Sequence, residues 1–265
     1  MRRLKEEILY FFRGLLDVTF KGSKFFYLWM SILTIIVIAG LYAYITQLSH
    51  GMIITRMRDQ VSWGFYISNF TFLVGIAAAA VLLVIPAYLY SFKAIKKIVI
   101  FGELLAITAL IMAISFILVD IGRVERVWHM MPFPIGKMNF PRSMLAWDMI
   151  VLNSYLGLNL FISTYMGCHT YFGKKPNKRL VIMLILLSIP LAISVHTVTA
   201  FVYNNLISRP FWDASILAPR FLASAFCSGP ALMIILFQVL RRLTDFNIHD
   251  SAIMKLAEIV TYAMA

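Results

Sequence analysis

The chain has 265 residues, of which 61% are hydrophobic and 14% are charged, and its mean hydropathy is +0.84. These values are typical of a polytopic membrane protein and exclude an ordinary soluble domain. The formal net charge is +12, but the basic residues cluster between apolar runs, so they indicate topology and not a nucleic-acid site. Cys168 and Cys227 lie far apart inside apolar runs, so the chain supplies no iron–sulfur or zinc framework.

The first 25 residues do not form a cleavable signal peptide, because five charged residues between Lys5 and Asp17 interrupt any apolar core. Their apolar residues instead predict an amphipathic segment, 1–25, that lies on the cytoplasmic surface of the membrane. The side chains expected to face the lipid are Ile8, Leu9, Phe11, Phe12, Leu15 and Leu16.

Six apolar runs are long enough to cross a bilayer, which takes about 20 helical residues. A seventh run, residues 252–265, has 14 residues. It is too short to span, and we expect that the sequence stops inside a helix there, the alternative being a re-entrant segment. The predicted fold is therefore all-α, a polytopic membrane bundle with at least six full spans and a truncated seventh. The six runs cover residues 26–47, 62–90, 98–120, 143–172, 180–207 and 214–240.

The distribution of lysine and arginine predicts the orientation. Between the spans, 15 of these residues fall on the side of the N-terminus and 7 on the other side, which places the N-terminus in the cytoplasm. We divide the chain into the surface segment 1–25, a first transmembrane helix 26–47, a four-helix bundle 62–207 with an outer loop 121–142, and the start of a second bundle, 214–265.

The second run, SWGFYISNFTFLVGIAAAAVLLVIPAYLY (62–90), holds 29 residues without one formal charge. Gly75 and Ala79 lie four residues apart, a spacing that lets a neighbouring helix approach closely. Asn69 needs a hydrogen-bond partner in hydrocarbon, either on another helix or on a ligand. These features predict the central helix of the bundle.

The outer loop 121–142, IGRVERVWHMMPFPIGKMNFPR, differs from the other connections in its length and its three prolines. It combines Trp128 and His129 with several charges. Such a loop is a candidate docking surface for a partner protein, and the alternative is a solvated connection.

Four polar residues from four spans are predicted to lie in the outer half of the bilayer. At 1.5 Å per helical residue, Asn69 lies about 10 Å below the outer edge, Asp148 about 7 Å, Arg220 about 9 Å and His196 about 16 Å. Ionisable residues at such depth are costly and usually functional, although Arg220 could simply neutralise Asp148. Two helical stripes predict a polar seam, one with Asp148, Tyr155 and Asn159 and the other with His196, Thr199 and Tyr203.

Glu103 is predicted about 7 Å from the inner edge of its span. Two interpretations stay open for it, a pair with a nearby lysine and a place on a proton path.

The polar seam limits the chemistry. His169 and His196 lie at opposite depths and cannot share a haem, and the sequence has no phosphate-binding loop and no clear nucleophile–base pair. An apolar pocket with a carboxylate, an imidazole, an amide and tyrosines suits a quinone, whose ring needs hydrogen-bond partners and proton acceptors or donors. Histidine is apt for this role because it titrates near neutral pH.

Five segments carry a resemblance to a known family. Taken in order over most of residues 20–240, the chain resembles the NrfD/PsrC family of quinone-interacting membrane subunits. The segments are SWGFYISNFTFLVGIAAAAVLLVIPAYLY, GELLAITALIM, VDIGRVERVWHM, AWDMIVLNSYLGLNL and APRFLASAFCSGPAL.

Within that family, the chain is most similar to the membrane subunit of the sulfite-reductase-linked transmembrane electron-transfer complex of sulfur-metabolising prokaryotes. The resemblance implies a multi-pass protein of the prokaryotic cytoplasmic membrane that exchanges electrons with menaquinone near the outer surface, in sulfur metabolism and anaerobic respiration. It implies that this chain binds no haem or iron–sulfur cluster. The implied partners are a ferredoxin-like iron–sulfur subunit facing outward, a multihaem cytochrome c subunit and a haem b membrane subunit.

Carried over to this sequence, the resemblance puts the outer histidine and aspartate of the family at His129 and Asp148, and it implies no metal ligand. The wider polar path of the family falls on His196, Arg220 and Glu103. In our interpretation Asp148 and His129 handle the quinone protons, Asn69, Tyr155 or Trp128 positions the ring, and a proton path runs through His196 toward Glu103.

The sequence thus favours a subunit of a menaquinol-dependent oxidoreductase complex. Two other classes stay open. One is a transporter or channel for protons or a small anion that uses the same polar seam, although no clear internal repeat is present. The other is a plain membrane anchor whose polar residues only hold helices together.

Overall fold

The computed structural model describes residues 2–58, 60, 63–77, 79–89, 92–96, 98–131, 134–207, 209–244 and 246–265. In this part of the chain all regular elements are helical, which confirms the predicted class. The helices are α1 (Arg2–Thr19), α2 (Lys24–His50), α3 (Phe65–Ala77), α4 (Ala79–Val84), α5 (Lys93–Lys96), α6 (Val99–Asp120), α7 (Met144–Tyr171), α8 (Lys178–Asn204), α9 (Leu217–Leu243) and α10 (Asp250–Met264).

The six predicted spans are confirmed as helices long and apolar enough to cross a membrane. Five of them are α2, α6, α7, α8 and α9. The second is the run Phe65–Tyr88, which includes α3 and α4. Its predicted end positions, 62 and 90, lie outside the described residues.

Local sequence explains where several helices begin and change. Ser23, Ser143 and Asn177 each cap a helix by accepting a hydrogen bond from a backbone N–H in its first turn. After α4 the chain widens into a π-helical turn, Ile85–Leu89. Pro86 lies in this turn, where it lacks an N–H and cannot make the regular α-helical bond.

Five spans pack as a closed ring. The second span lies against α6, α6 against α7, α7 against α8, α8 against α9, and α9 returns to the second span. Because α9 packs against both the second span and α8, it belongs to the same core as these spans. The last helix, α10, lies against α9. The division of the chain into two bundles at residue 214 stays a prediction.

The ring buries two apolar layers. We call the end of the bundle that carries α1 and the 172–177 connection the inner end, and the end that carries the loop 121–142 the outer end. The layer nearer the outer end includes Leu110, Leu152 and Val195, whereas the layer nearer the inner end includes Phe237 and Leu256. That the inner end faces the cytoplasm stays a prediction.

The first span, α2, lies beside the ring, and no residue of its most apolar window is buried. One polar side chain fastens its outer end. Gln47 is 4% exposed, donates to the Val119 carbonyl at 2.9 Å and accepts from the Tyr66 hydroxyl at 2.7 Å. The amide is therefore satisfied in a place where an unpaired one would be costly.

The segment 1–25 contains the helix α1, which lies against the inner end of α7. The Phe11 ring meets the Tyr171 ring edge-on at 5.6 Å, and Glu7 pairs with Lys174 at 2.8 Å. The position of α1 on a membrane surface stays a prediction.

Candidate functional site

A buried carboxylate on α7 is bound by a hydroxyl of α8. Asp148 is 1% exposed and Thr199 is 0% exposed, and the Thr199 hydroxyl donates to Asp148 Oδ1 at 2.7 Å. The stripe predicted on α7 is confirmed, because Tyr155 and Asn159 are buried on the same face. The polar seam between these two helices therefore exists.

The predicted stripe on α8 is also confirmed, since His196, Thr199 and Tyr203 are all buried. His196 is 3% exposed, and its Nε2 has no hydrogen-bond partner among the described residues. A buried polar atom without a partner is uncommon and costly. The His196 imidazole therefore has capacity for one more hydrogen bond.

His196 lines a cavity of about 330 Å³ between α3, α8 and α9, which we call the outer cavity. Gly75 contributes the wall on α3, and a Cβ built there would lie 3.0 Å from Ser228 Oγ on α9. The predicted close approach of a neighbouring helix at Gly75 is thus confirmed. The cavity is lined by Thr71, Gly75, His196, Tyr203, Phe211, Trp212, Leu217, Arg220, Phe221 and Ser224.

One wall of the outer cavity is aromatic and backed by stacked rings. Trp212 stacks on Trp63 at 5.6 Å with an interplanar angle of 22°, and Tyr203 meets both rings edge-on. The Tyr203 and Thr71 hydroxyls are hydrogen-bonded to each other. Rings supported in this way form a flat, rigid apolar surface beside the polar groups.

Arg220 also lines the outer cavity, but in the described part of the chain no ion pair joins it to Asp148. The alternative in which Arg220 only neutralises Asp148 therefore finds no support in this geometry. Arg220 and His196 instead line the same cavity, whereas Asp148 does not line it and is hydrogen-bonded to Thr199 of α8.

Trp128 and His129 lie elsewhere, in a 3₁₀ turn, Val124–Met130, of the outer loop. Their rings meet edge-on at 4.0 Å, and neither residue lines the outer cavity. The loop folds back on itself, because the Lys137 N–H donates to the His129 carbonyl at 3.0 Å. It is also fastened to α7, where the Trp147 indole donates to the Pro141 carbonyl.

The other two residues predicted to position a ring are also away from the outer cavity. The Asn69 amide donates to the Phe65 carbonyl of its own helix at 2.8 Å. The Tyr155 hydroxyl, fully buried in the bundle, donates to the Ala77 carbonyl at 3.3 Å. The structure therefore places His196 and Arg220 on one cavity, and it leaves Asp148, Asn69, Trp128, His129 and Tyr155 outside the lining of that cavity.

Glu103 lies at the inner end, 4% exposed, and accepts from the Ser163 hydroxyl at 2.8 Å. It lines a separate cavity of about 440 Å³, which we call the inner cavity. Its lining residues are Phe11, Tyr88, Lys96, Val99, Ile100, Glu103, Met166, Gly167, Thr170 and Tyr171.

Sequence reasoning did not single out Thr71, Ser163 or Trp212 as site residues. Thr71 lies one helical turn before Gly75, so their shared face was a readable signal. The partnership of Ser163 with Glu103 spans 60 positions in the chain, and no local pattern could have shown it.

The fold and the polar seam define the class: the chain is a multi-pass, all-helical membrane protein. Residues 53–265 match the profile of the family described as polysulphide reductase, NrfD. The chain belongs to the NrfD family.

Three curated proteins are similar to the chain. The first, from Halobacterium salinarum, is provisionally named as the membrane subunit of a dimethyl sulfoxide reductase and is 26% identical over 253 residues, 89% of this chain and 57% of that protein. A selenate reductase subunit of Mesobacillus selenatarsenatis is 25% identical over 79% of this chain and 56% of its own length. The third protein is the Hdr-like menaquinol oxidoreductase integral membrane subunit of Archaeoglobus fulgidus. It is 24% identical over 77% of this chain and 48% of its own length. The chain thus spans about half the length of these relatives.

Proposed function

We propose that the chain is the quinone-interacting membrane subunit of a respiratory electron-transfer complex and that menaquinone binds in the outer cavity. The observation that carries this proposal is His196, a buried residue in the lining of that cavity, whose Nε2 has no hydrogen-bond partner among the described residues. Family membership and the name of the relative from Archaeoglobus fulgidus, a menaquinol oxidoreductase subunit, support the same ligand.

The residues present fit a quinone. The ligand offers a flat ring, two oxygens on opposite sides and an apolar tail, so it needs an apolar wall and a few polar groups. Trp212 and Phe221 supply ring surfaces, while His196, Arg220 and Ser224 supply polar groups on the same cavity. An apolar pocket with a small number of polar groups is the usual form of a cofactor site.

Oxidation of a quinol gives up two protons with its two electrons, so a quinol site needs proton acceptors. His196 is a lining residue of the cavity, and a neutral imidazole has one nitrogen that can accept a hydrogen bond or a proton. Asp148 lies on the neighbouring helix α7 and accepts a hydrogen bond from Thr199, which follows His196 by three positions on α8. We propose that His196 binds a quinone oxygen and that Asp148 takes part in the later removal of the proton.

The outer loop would receive the electron-accepting partner. Arg123, Arg126, Lys137 and Arg142 are all exposed on it, together with Trp128, which is 45% exposed. A basic surface with an exposed aromatic ring suits an acidic partner protein. We propose a ferredoxin-like iron–sulfur subunit there, with a multihaem cytochrome c and a haem b membrane subunit in the same complex, and a role for His129 in docking.

Protons would cross the membrane along the buried face of α7. Below Asp148 this face carries Tyr155 and Asn159, whose side-chain amide donates to the Tyr155 carbonyl at 2.7 Å. Ser163 and Glu103 continue the polar groups to the inner cavity. We propose that protons move between the outer and inner ends along this row of polar groups.

The test is quinone binding by the purified complex, measured by extraction and by density in an experimental map. For His196→Leu we expect at least a tenfold loss of affinity, equivalent to about 1.4 kcal/mol, because one hydrogen bond to the ring is removed. Thr197→Val on the same helix is the matched control, since the Thr197 hydroxyl bonds only within α8.

Two results would contradict the proposal. A water-lined path through Asp148 and His196 with no quinone at any concentration would favour the transporter. Full electron flux in Asp148→Asn and His196→Leu, with no bound quinone in the wild type, would favour the plain anchor.

A further inference from the structure

The inner cavity is a second, separate space, and it shares no lining residue with the outer cavity. Its walls are the end of the second span, the first turns of α6 and the last turns of α7, and Phe11 of α1 contributes to its lining. Its volume, about 440 Å³ against about 330 Å³, is the larger of the two. Two of its lining residues, Ile100 and Tyr171, are partly exposed on the surface of the bundle.

The side chains that line the inner cavity suit an aromatic ring that donates a hydrogen bond, because they combine aromatic surface with one strong hydrogen-bond acceptor. Tyr88, Tyr171 and Phe11 supply aromatic surface. Glu103 is the buried polar group, held from one side by the Ser163 hydroxyl. A carboxylate accepts more than one hydrogen bond, and an O–H bond to a carboxylate is among the stronger ones.

The acidic side chain of the inner cavity argues against a phospholipid headgroup. A phospholipid carries a phosphate, and the most buried polar side chain in the lining is the Glu103 carboxylate. A phosphate beside this carboxylate would bring two negative charges together, which is unfavourable. The Lys96 ammonium group lies over the Tyr88 ring, 5.4 Å from its centroid, and Lys96 is exposed.

A free inorganic anion is also disfavoured, because the deepest polar group of the cavity is itself acidic. An uncharged ring with a hydroxyl group is not repelled by the Glu103 carboxylate and can donate a hydrogen bond to it. We infer that the inner cavity is a second quinol-binding site, in which the Glu103 carboxylate accepts a hydrogen bond from a ring hydroxyl and the aromatic side chains bind the ring. This inference rests on the proposed function, since it takes the same class of ligand.

The test uses a photoreactive azidonaphthoquinone on the full chain in lipid nanodiscs, with the labelled peptides identified by mass spectrometry. In the wild type we expect label on α7 near Met166 and Tyr171, from the inner cavity, and on residues near Trp212, from the outer cavity. Thr170→Trp fills the inner cavity from its wall, so it should reduce the inner label at least fivefold and leave the outer label unchanged.

Glu103→Leu should have the same effect as Thr170→Trp, by removing the acceptor instead of the space. Thr108→Trp on α6 is the matched control for added bulk, because Thr108 bonds only within its own helix and does not line the inner cavity. His196→Leu should reduce only the outer label.

Label confined to the outer cavity at saturating probe would overturn the inference and leave the proposed function intact. An inner label that neither Thr170→Trp nor Glu103→Leu changes would also overturn it, as would native mass spectrometry showing a phospholipid retained there in competition with the probe. The absence of label from both cavities would contradict the proposed function as well.

Discussion

The hydrogen bond between Thr199 and Asp148 allows the charge of the buried carboxylate to be measured through stability. The Thr199 hydroxyl donates to Asp148 at 2.7 Å, and both side chains are buried. Valine has nearly the shape of threonine, so Thr199→Val removes the donor with little change in packing. Thr197→Val is again the matched control, because its hydroxyl binds only the Ile193 carbonyl of the same helix.

The expected loss of unfolding free energy depends on whether the hydrogen bond is made to a charged or to a neutral group. A hydrogen bond to a charged group contributes about 1.5–3 kcal/mol, whereas neutral interhelical bonds in a membrane average about 0.6 kcal/mol. Thr199→Val should therefore lower the free energy of unfolding by about 2 kcal/mol in the wild type. In an Asp148→Asn background the amide oxygen still accepts the bond, and the loss should be about 0.6 kcal/mol. The coupling energy between the two sites is then about 1.4 kcal/mol.

The assay is reversible unfolding in mixed micelles of increasing SDS content, followed by helical circular dichroism at neutral pH. The four proteins of the double-mutant cycle and the Thr197→Val control are compared under the same conditions. Equal losses for Thr199→Val in both backgrounds would refute the idea that Asp148 is charged in the resting protein. A loss for Thr197→Val as large as that for Thr199→Val would show that the assay reports helix propensity and not the interhelical bond.

Three further predictions concern packing at other points. Gln47→Leu should detach the outer end of α2, because it leaves the Tyr66 hydroxyl without its acceptor; disulfide cross-linking between cysteines placed on α2 and α6 should become slower, and an unchanged rate would contradict this. Gly75→Leu should abolish quinone labelling of the outer cavity and destabilise the bundle by about 1–3 kcal/mol through overpacking, and retained labelling would contradict it. Lys174→Ala should change the unfolding free energy by less than about 1 kcal/mol, since the pair with Glu7 is exposed, and a larger loss would mean that this pair holds α1 in place.

The spans could be predicted because long apolar runs have few alternatives to a membrane helix. Their ends were less accurate, as for α8, predicted at 180–207 and found at Lys178–Asn204. The difference at its start has a local cause, because the side chain of Asn177 caps the helix by accepting from the N–H groups of Arg179 and Leu180.

The site was only partly predictable, because sequence gives the depth of a residue but not the direction in which its helix faces. The stripes on α7 and α8 followed from helical periodicity within one segment. Asn69 lies at a suitable depth, yet its amide is satisfied by the Phe65 carbonyl of its own helix. The position of His129 depends on the folding of a loop, for which no periodic pattern exists.

The two buried carboxylates have the same kind of surroundings, which bears on what they do. Asp148 and Glu103 each accept a hydroxyl bond from a neighbouring helix, and in the described part of the chain neither belongs to an ion pair. A buried carboxylate without a counter-charge is a poor structural element, because apolar residues of similar volume hold helices together at least as well. Such a group can, however, take up or release a proton without breaking a salt bridge. This property suits proton exchange, and it argues against the anchor.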